Sequence, residues 1–123
     1  GTGDLDAGAR RLLDLGVQWV VVTRGEKGCW FTNGRETGEL PAFRVDVVDT
    51  LGAGDAFVAA LLSKLLTAGD LGGLSLAQMT DFARYANAAG ALTTQAVGVI
   101  PALPTGRAIA NFLEVCASLG SER

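Results

Sequence analysis

An α/β fold is predicted by three observations. Two strand-like stretches, 17–23 and 43–48, stand among helix-patterned segments. The first is apolar on both faces, as in an interior strand of a parallel sheet. The second runs through a glycine-rich turn directly into an apolar helix.

From the N-terminus, Asp6–Leu15 places Ala9, Leu12 and Leu13 at helical spacing, and Gly16 stops the helix. Val17–Thr23 is a β-branched run enclosing Trp19. After glycines 25 and 28, Cys29–Thr32 and Arg35–Leu40 flank Asn33-Gly34, the signal for a hairpin with a type I′ turn, and Pro41 ends it. Phe43, Val45 and Val47 alternate with Arg44 and Asp46, a second strand pattern. Ala56–Thr67 is interrupted only by Ser63 and Lys64 before its terminal threonine, so a buried core helix is expected. Gly69–Gly73 reads as a loop. Ser75 caps a helix from Leu76 to about Thr94, and Pro101–Pro104 reads as an extended linker. Thr105 caps a last helix whose Ile109, Phe112, Leu113 and Cys116 share one face, as if laid on a sheet.

The chain has 123 residues, is 49% hydrophobic and 19% charged, and can bury about two thirds of its unfolded surface, enough for one core. It reads as soluble and globular. Its longest apolar run, Ala56–Leu62, is far too short to span a bilayer. Ten basic against thirteen acidic residues leave no broad cationic surface for nucleic acid, so an anionic ligand must be held locally. With no histidine, imidazole bases, Ser-His-Asp triads and His-ligated metals are excluded. Catalysis must then rest on carboxylates, backbone dipoles or a borrowed metal. Cys29 and Cys116 lie in apolar surroundings, and free thiols in a reducing cytoplasm are expected. Gly1-Thr2-Gly3 opens without methionine, which suggests a processed tag or a fragment boundary.

The densest chemical signal is Asp49-Thr50-Leu51-Gly52-Ala53-Gly54-Asp55. Its small residues let backbone approach a ligand, and the amides opening a helix make an anion site. A plain strand-to-helix turn, with Asp55 complementing the helix dipole, is an equal reading of these residues alone. Thr23-x-Gly25-x-x-Gly28 alone reads first as a strand-ending turn.

This motif, followed by Ala56-Phe57-Val58-Ala59-Ala60-Leu61-Leu62, closely resembles the C-terminal signature of the ribokinase-like, pfkB-type carbohydrate kinases. Val22-Thr23-Arg24-Gly25-Glu26-Lys27-Gly28 resembles that family's nucleotide-contacting strand and turn. Segments 85–94 and 98–105 are similar to the C-terminal parts of its fructokinase branch. The resemblance runs from about Gly16 to the end. It implies a three-layer αβα fold, of which residues 1–123 are the C-terminal, nucleotide-binding portion of a single domain whose sugar-binding and lid part lies outside this chain.

It further implies transfer of the γ-phosphoryl of ATP to a sugar hydroxyl. Asp55 would be the base, and the amides of Gly52, Ala53, Gly54 and Asp55 the anion hole. Thr23, Gly25 and Gly28 would contact the nucleotide, with Asn87 beside the adenine. An asparagine in a small-residue helix serves equally to satisfy a backbone group. Asp49 and the carbonyls of Leu51, Thr93, Ala96 and Gly98 would hold a potassium-like ion, although Asp49 equally suits a turn cap. Magnesium would accompany ATP, organised by an Asn-x-x-Glu motif of the absent part. Asn33–Glu36 and Asn111–Glu114 match that spacing by chance, and a Walker-type loop is absent, as in the family. The expected partner is a small sugar, with no nucleic acid or membrane, and with a homo-oligomer or the missing half covering exposed apolar surface. The expected location is the cytoplasm. A non-catalytic nucleotide- or anion-binding or assembly module is the alternative. So are other activities of the family: ribokinase, adenosine kinase or 2-keto-3-deoxygluconate kinase.

Overall fold

A computed structural model describes residues 2–95 and 105–119. The elements are α1 (Thr2–Asp14), β1 (Val20–Thr23), β2 (Cys29–Thr32), β3 (Thr37–Leu40), α2 (Ala53–Ala68), α3 (Leu76–Thr93) and α4 (Gly106–Leu119). The predicted linker 101–104 lies outside the described residues.

The three strands form one antiparallel sheet in the order β1-β2-β3, with Val21 opposite Phe31 and Phe31 opposite Gly38. Strand alternation divides its side chains between two cores. Val20 and Trp30 are buried with Ala9, and Leu5, Leu13 and Val22 pack against them, which seats α1 on one face. Cys29 and Phe31 enter a larger core on the other face with α2, α3 and α4, to which Val21 adds. The order is therefore helix, sheet, helices, and β1 is apolar on both faces as its composition predicts.

Several expectations are corrected. The β1 strand begins at Val20, leaving Val17 exposed, and it pairs antiparallel at the edge of the described sheet, where an interior parallel position was expected. Helix α1 starts at Thr2, and its inward line is the buried Ala9 with the partly buried Leu5 and Leu13, while Leu12 faces solvent. The hairpin loop holds four residues, 33–36, and no type I′ turn forms, because Asn33 has a negative φ. Instead the Asn33 side-chain oxygen accepts from the amides of Arg35 (2.9 Å) and Glu36 (2.8 Å). That local bonding replaces the left-handed conformation a two-residue loop demands. Segment 43–48 is irregular and pairs with no strand among the described residues, yet Phe43 is buried and meets Phe112 edge-on at 5.1 Å. Helix α4 packs on α3, where a sheet was expected.

Helix α2 is apolar nearly all round but buries one face, Ala56, Phe57, Ala60 and Leu61. Val58, Leu62 and Leu66 repeat at four-residue intervals on its other side and remain 51%, 53% and 83% exposed, so the fully buried helix expected from composition is half covered in this chain. Its inner face meets α3, whose Ala83, Ala86 and Gly90 keep the contact thin; a Cβ on Gly90 would stand 3.3 Å from the carbonyl oxygen of Ala53. Two caps follow the sequence reading. The Ser75 hydroxyl accepts from the Gln78 amide at 3.1 Å while the Gln78 side chain accepts from the Ser75 amide at 3.0 Å, closing a capping box. Thr105 accepts from the Ala108 amide at 3.1 Å. No helix among the described residues is long and apolar enough to cross a membrane.

Candidate active site

The end of β1, the start of α2 and the C-terminal part of α3 converge on a groove of about 1040 Å³. One wall comes from the end of β1 (Thr23), the single 3-10 turn Gly25–Lys27 with Gly28 behind it, and the chain from Pro41 to Val47. The other comes from the first turn of α2 (Ala53, Gly54) and from α3 (Asn87, Gly90, Ala91). Six residues singled out in the sequence thus meet around one space: Thr23, Gly25, Gly28, Ala53, Gly54 and Asn87. Gly52 and Asp55 adjoin it without lining it.

Each glycine here has a distinct physical reason. Gly52 stands in the left-handed region (φ 82°, ψ −3°) immediately before α2, and its carbonyl accepts from the Ala56 amide at 2.9 Å, so it reverses the chain into the helix. Gly54 already lies inside the helix, and a Cβ built on it meets nothing within 4 Å. Its small size leaves the groove open there. The amides of α2's first turn have no intrahelical acceptors. Ala53 donates to the Thr50 carbonyl at 3.3 Å, a long contact, which leaves those of Gly54 and Asp55 as the better placed donors for an anion. Asp55 is the third helical residue, exposed, with its carboxylate at the positive end of the helix dipole.

Asn87 takes the backbone-satisfying role that the sequence also allows. It lines the groove, and its Nδ2 donates to the Pro41 carbonyl at 3.3 Å, bracing the irregular segment against α3. Behind it lies Cys29, fully buried; burial pushes its thiol up to about 11, against smaller opposing effects of the Arg24 charge and of hydrogen bonds with the Leu40 backbone and Asn87. The thiol is therefore protonated and inert at neutral pH. Both cysteines are free and buried, as expected. Because the folded chain holds this proton more tightly than the unfolded chain, whose value is 9.0, the contribution is whole below pH 9 and is lost as pH rises toward 11. The expected loss is about 2 kcal/mol by pH 11, read as a steeper fall of urea stability between pH 8.5 and pH 10.5 than Cys29→Ala shows. Equal slopes in the two proteins would refute it.

The proposed monovalent-ion residues are partly gathered. The amides of Val48 and Asp49 both donate to the Thr94 carbonyl, at 2.6 and 3.0 Å, which pins Asp49 beside the C-terminus of α3 and next to Thr93. Asp49 Oδ1 accepts from the Leu51 amide at 2.9 Å, the turn cap read as its alternative. Thr93 is buried, its hydroxyl donating to Ala89, and Leu51 is exposed. Ala96 and Gly98 lie outside the described residues. Among the described residues no three Asp, Glu, His or Cys side chains cluster for a metal.

The sequence reading missed Lys27, Arg44 and Phe43, all of which line the groove. The available signal was that Lys27 sits inside the first glycine turn and that Arg44 opposes Phe43 and Val45 in the alternating run leading to the second.

A family model described as "pfkB family carbohydrate kinase" matches residues 3–106. "Probable fructokinase-3" of Arabidopsis thaliana is 42% identical over 110 residues, covering 89% of this chain and 31% of that protein. "Fructokinase" of Solanum tuberosum is 42% identical over 101 residues, covering 81% and 31%. Among solved structures, a fructokinase with bound ATP from Xylella fastidiosa superimposes with a TM-score of 0.85 at 26% identity, over 91% of this chain and 37% of that one. A Vibrio cholerae fructokinase in a fructose-, ADP- and calcium-bound form gives 0.76 at 36% identity, over 88% and 34%. This chain spans about a third of the length of these relatives.

Proposed function

The chain belongs to the pfkB family of carbohydrate kinases, with the ribokinase-like αβα fold of its structural relatives, and from that premise we propose that it forms the C-terminal, nucleotide-binding part of a single sugar kinase domain with fructose as the acceptor. The observation that carries this reading is the groove at the start of α2, where Gly54 opens toward empty space beside the exposed carboxylate of Asp55. ATP, when bound, supplies the phosphoryl group. Asp55 takes the proton of the attacking hydroxyl late in a loose transition state, so a weak base suffices. The amides of Gly54 and Asp55, with that of Gly52, hold the phosphoryl oxygens, and Thr23, Gly25 and Gly28 seat the nucleotide while Asn87 flanks its base. Orientation and charge stabilisation carry most of the rate.

The residues fit a nucleotide, since glycines keep both the turn wall and the helix wall of the groove clear. Magnesium would enter with the ATP phosphates, where it would neutralise their charge and needs at most one or two carboxylates besides water. A potassium ion suits the Asp49 carboxylate and the carbonyls of Leu51 and Thr93, because the last carbonyls of α3 lack intrahelical donors.

The test is a hybrid in which this chain replaces the matching stretch of one of the fructokinases it resembles, assayed for ADP release with fructose. Turnover supports the reading; a folded hybrid that binds ATP and never turns over favours a non-catalytic nucleotide module. In that hybrid Gly54→Val is expected to lower kcat/KM at least about 100-fold with little change in melting temperature, because a branched side chain is added at the groove wall, where a Cβ meets no atom of this chain within 4 Å. Unchanged kinetics would make the turn purely structural.

The chain alone is expected to phosphorylate no sugar and to self-associate through Val58, Leu62 and Leu66 and the outer edge of β1. Size-exclusion chromatography checks this: Leu62→Glu with Leu66→Glu should shift the chain toward monomer. A monodisperse wild-type monomer that turns over fructose would overturn the proposed division of labour.

A further inference from the structure

We propose that Lys27 and Arg44 form a cationic wall that makes the groove select the nucleotide's phosphates, an inference that rests on the nucleotide reading above. The chain as a whole is acidic, with a net charge of −3, yet the charged side chains lining the groove are Lys27, Arg44 and Glu26, so the local balance is reversed. The two cations are separated by seventeen positions and share a wall for a packing reason. Gly28 lies directly against the Leu40 carbonyl, Pro41 and Ala42, which holds the turn bearing Lys27 against the segment bearing Arg44. Both side chains are exposed, and neither has a carboxylate partner among the described residues, whereas neighbouring Arg24 is engaged with Glu39 at 3.2 Å.

A positive wall is needed at this place. Asp55 stands at the start of α2 and offsets part of the helix's favourable dipole toward an anion. Two first-turn amides must then hold a polyanion beside a carboxylate. An arginine fork that grips two phosphate oxygens and a flexible lysine ammonium supply the missing charge from across the groove. Because they are solvent-exposed, their effect falls with added salt.

The experiment titrates the 123-residue chain with mant-labelled ATP and with mant-labelled adenosine, at low and high salt. Wild type is expected to bind the triphosphate more tightly than the nucleoside. Lys27→Ala with Arg44→Ala should weaken ATP at least about tenfold, flatten its salt dependence and leave adenosine unchanged. The charge-conserving pair Lys27→Arg and Arg44→Lys should retain most of the preference. A double alanine variant that binds ATP like wild type, or that loses adenosine to the same degree, would overturn the cationic wall while leaving nucleotide binding intact. A wild-type chain that binds neither probe would overturn the nucleotide reading itself.

Discussion

Asp55→Asn is expected to lower kcat for sugar phosphorylation by about 10²- to 10⁴-fold, the range of a lost general base. The carboxamide matches the carboxylate in size and the side chain is exposed, so no packing is disturbed. What changes is the ability to accept a proton from the attacking hydroxyl. Removing the charge at the start of α2 costs about 0.3–1 kcal/mol of helix stabilisation, and it also removes a repulsion toward phosphate. Affinity for ATP should therefore hold or improve while kcat collapses, a split that mere misfolding would not produce. Steady-state ADP release in the fructokinase hybrid, with ATP binding measured separately, reads both quantities. A near-normal kcat in the variant would remove Asp55 from the chemistry.

Gly28→Ala is expected to destabilise the fold by at least about 3 kcal/mol. Two independent costs combine at this position. Its φ of 89° with ψ of −138° lies where a side chain is strained whatever the space. A Cβ would also overlap the Leu40 carbonyl oxygen and stand 2.7 Å from the Pro41 carbonyl carbon and 2.8 Å from the Ala42 nitrogen. Those are backbone atoms of the hairpin's exit and cannot rotate away. Gly25, three residues earlier in the same turn, is the control: its φ is 58° and a Cβ there meets nothing within 4 Å, so Gly25→Asn should cost no more than about 1 kcal/mol. Urea unfolding of the two variants gives the comparison. Equal stabilities would mean that the turn relaxes and that the close approach is not required.

The two variants also mark what could be read along the chain. Glycines at 25, 28, 52 and 54 are visible in the sequence and identify a place where backbone must bend or be approached. Which partner approaches is settled by the fold: the hairpin exit at Gly28, open groove at Gly54.

Much of the local chemistry was legible, although the type I′ turn expected at Asn33-Gly34 was not what formed. Ser75 with Gln78, Thr105 with Ala108, and Pro41 at the end of β3 each act within three positions or through a missing amide, so the sequence states them directly. The two-faced apolarity of β1 was legible too, since helices cover both sides of the sheet. Four other features depended on residues distant in the chain. Alternation in 43–48 is compatible with a strand, but strand structure needs an edge to pair with. The Val20–Thr23 run could not declare its antiparallel partner, because composition records burial and not direction. The apolar surround of α2 could not tell which half meets α3 and which is left to solvent. Lys27 and Arg44 come to line one groove because the turn at Gly28 packs against the backbone at 40–42. Caps and turns are decided by energies between neighbours in sequence. Pairing, burial and the meeting of charges are decided by which distant segments pack together, and a residue's own identity carries little record of them.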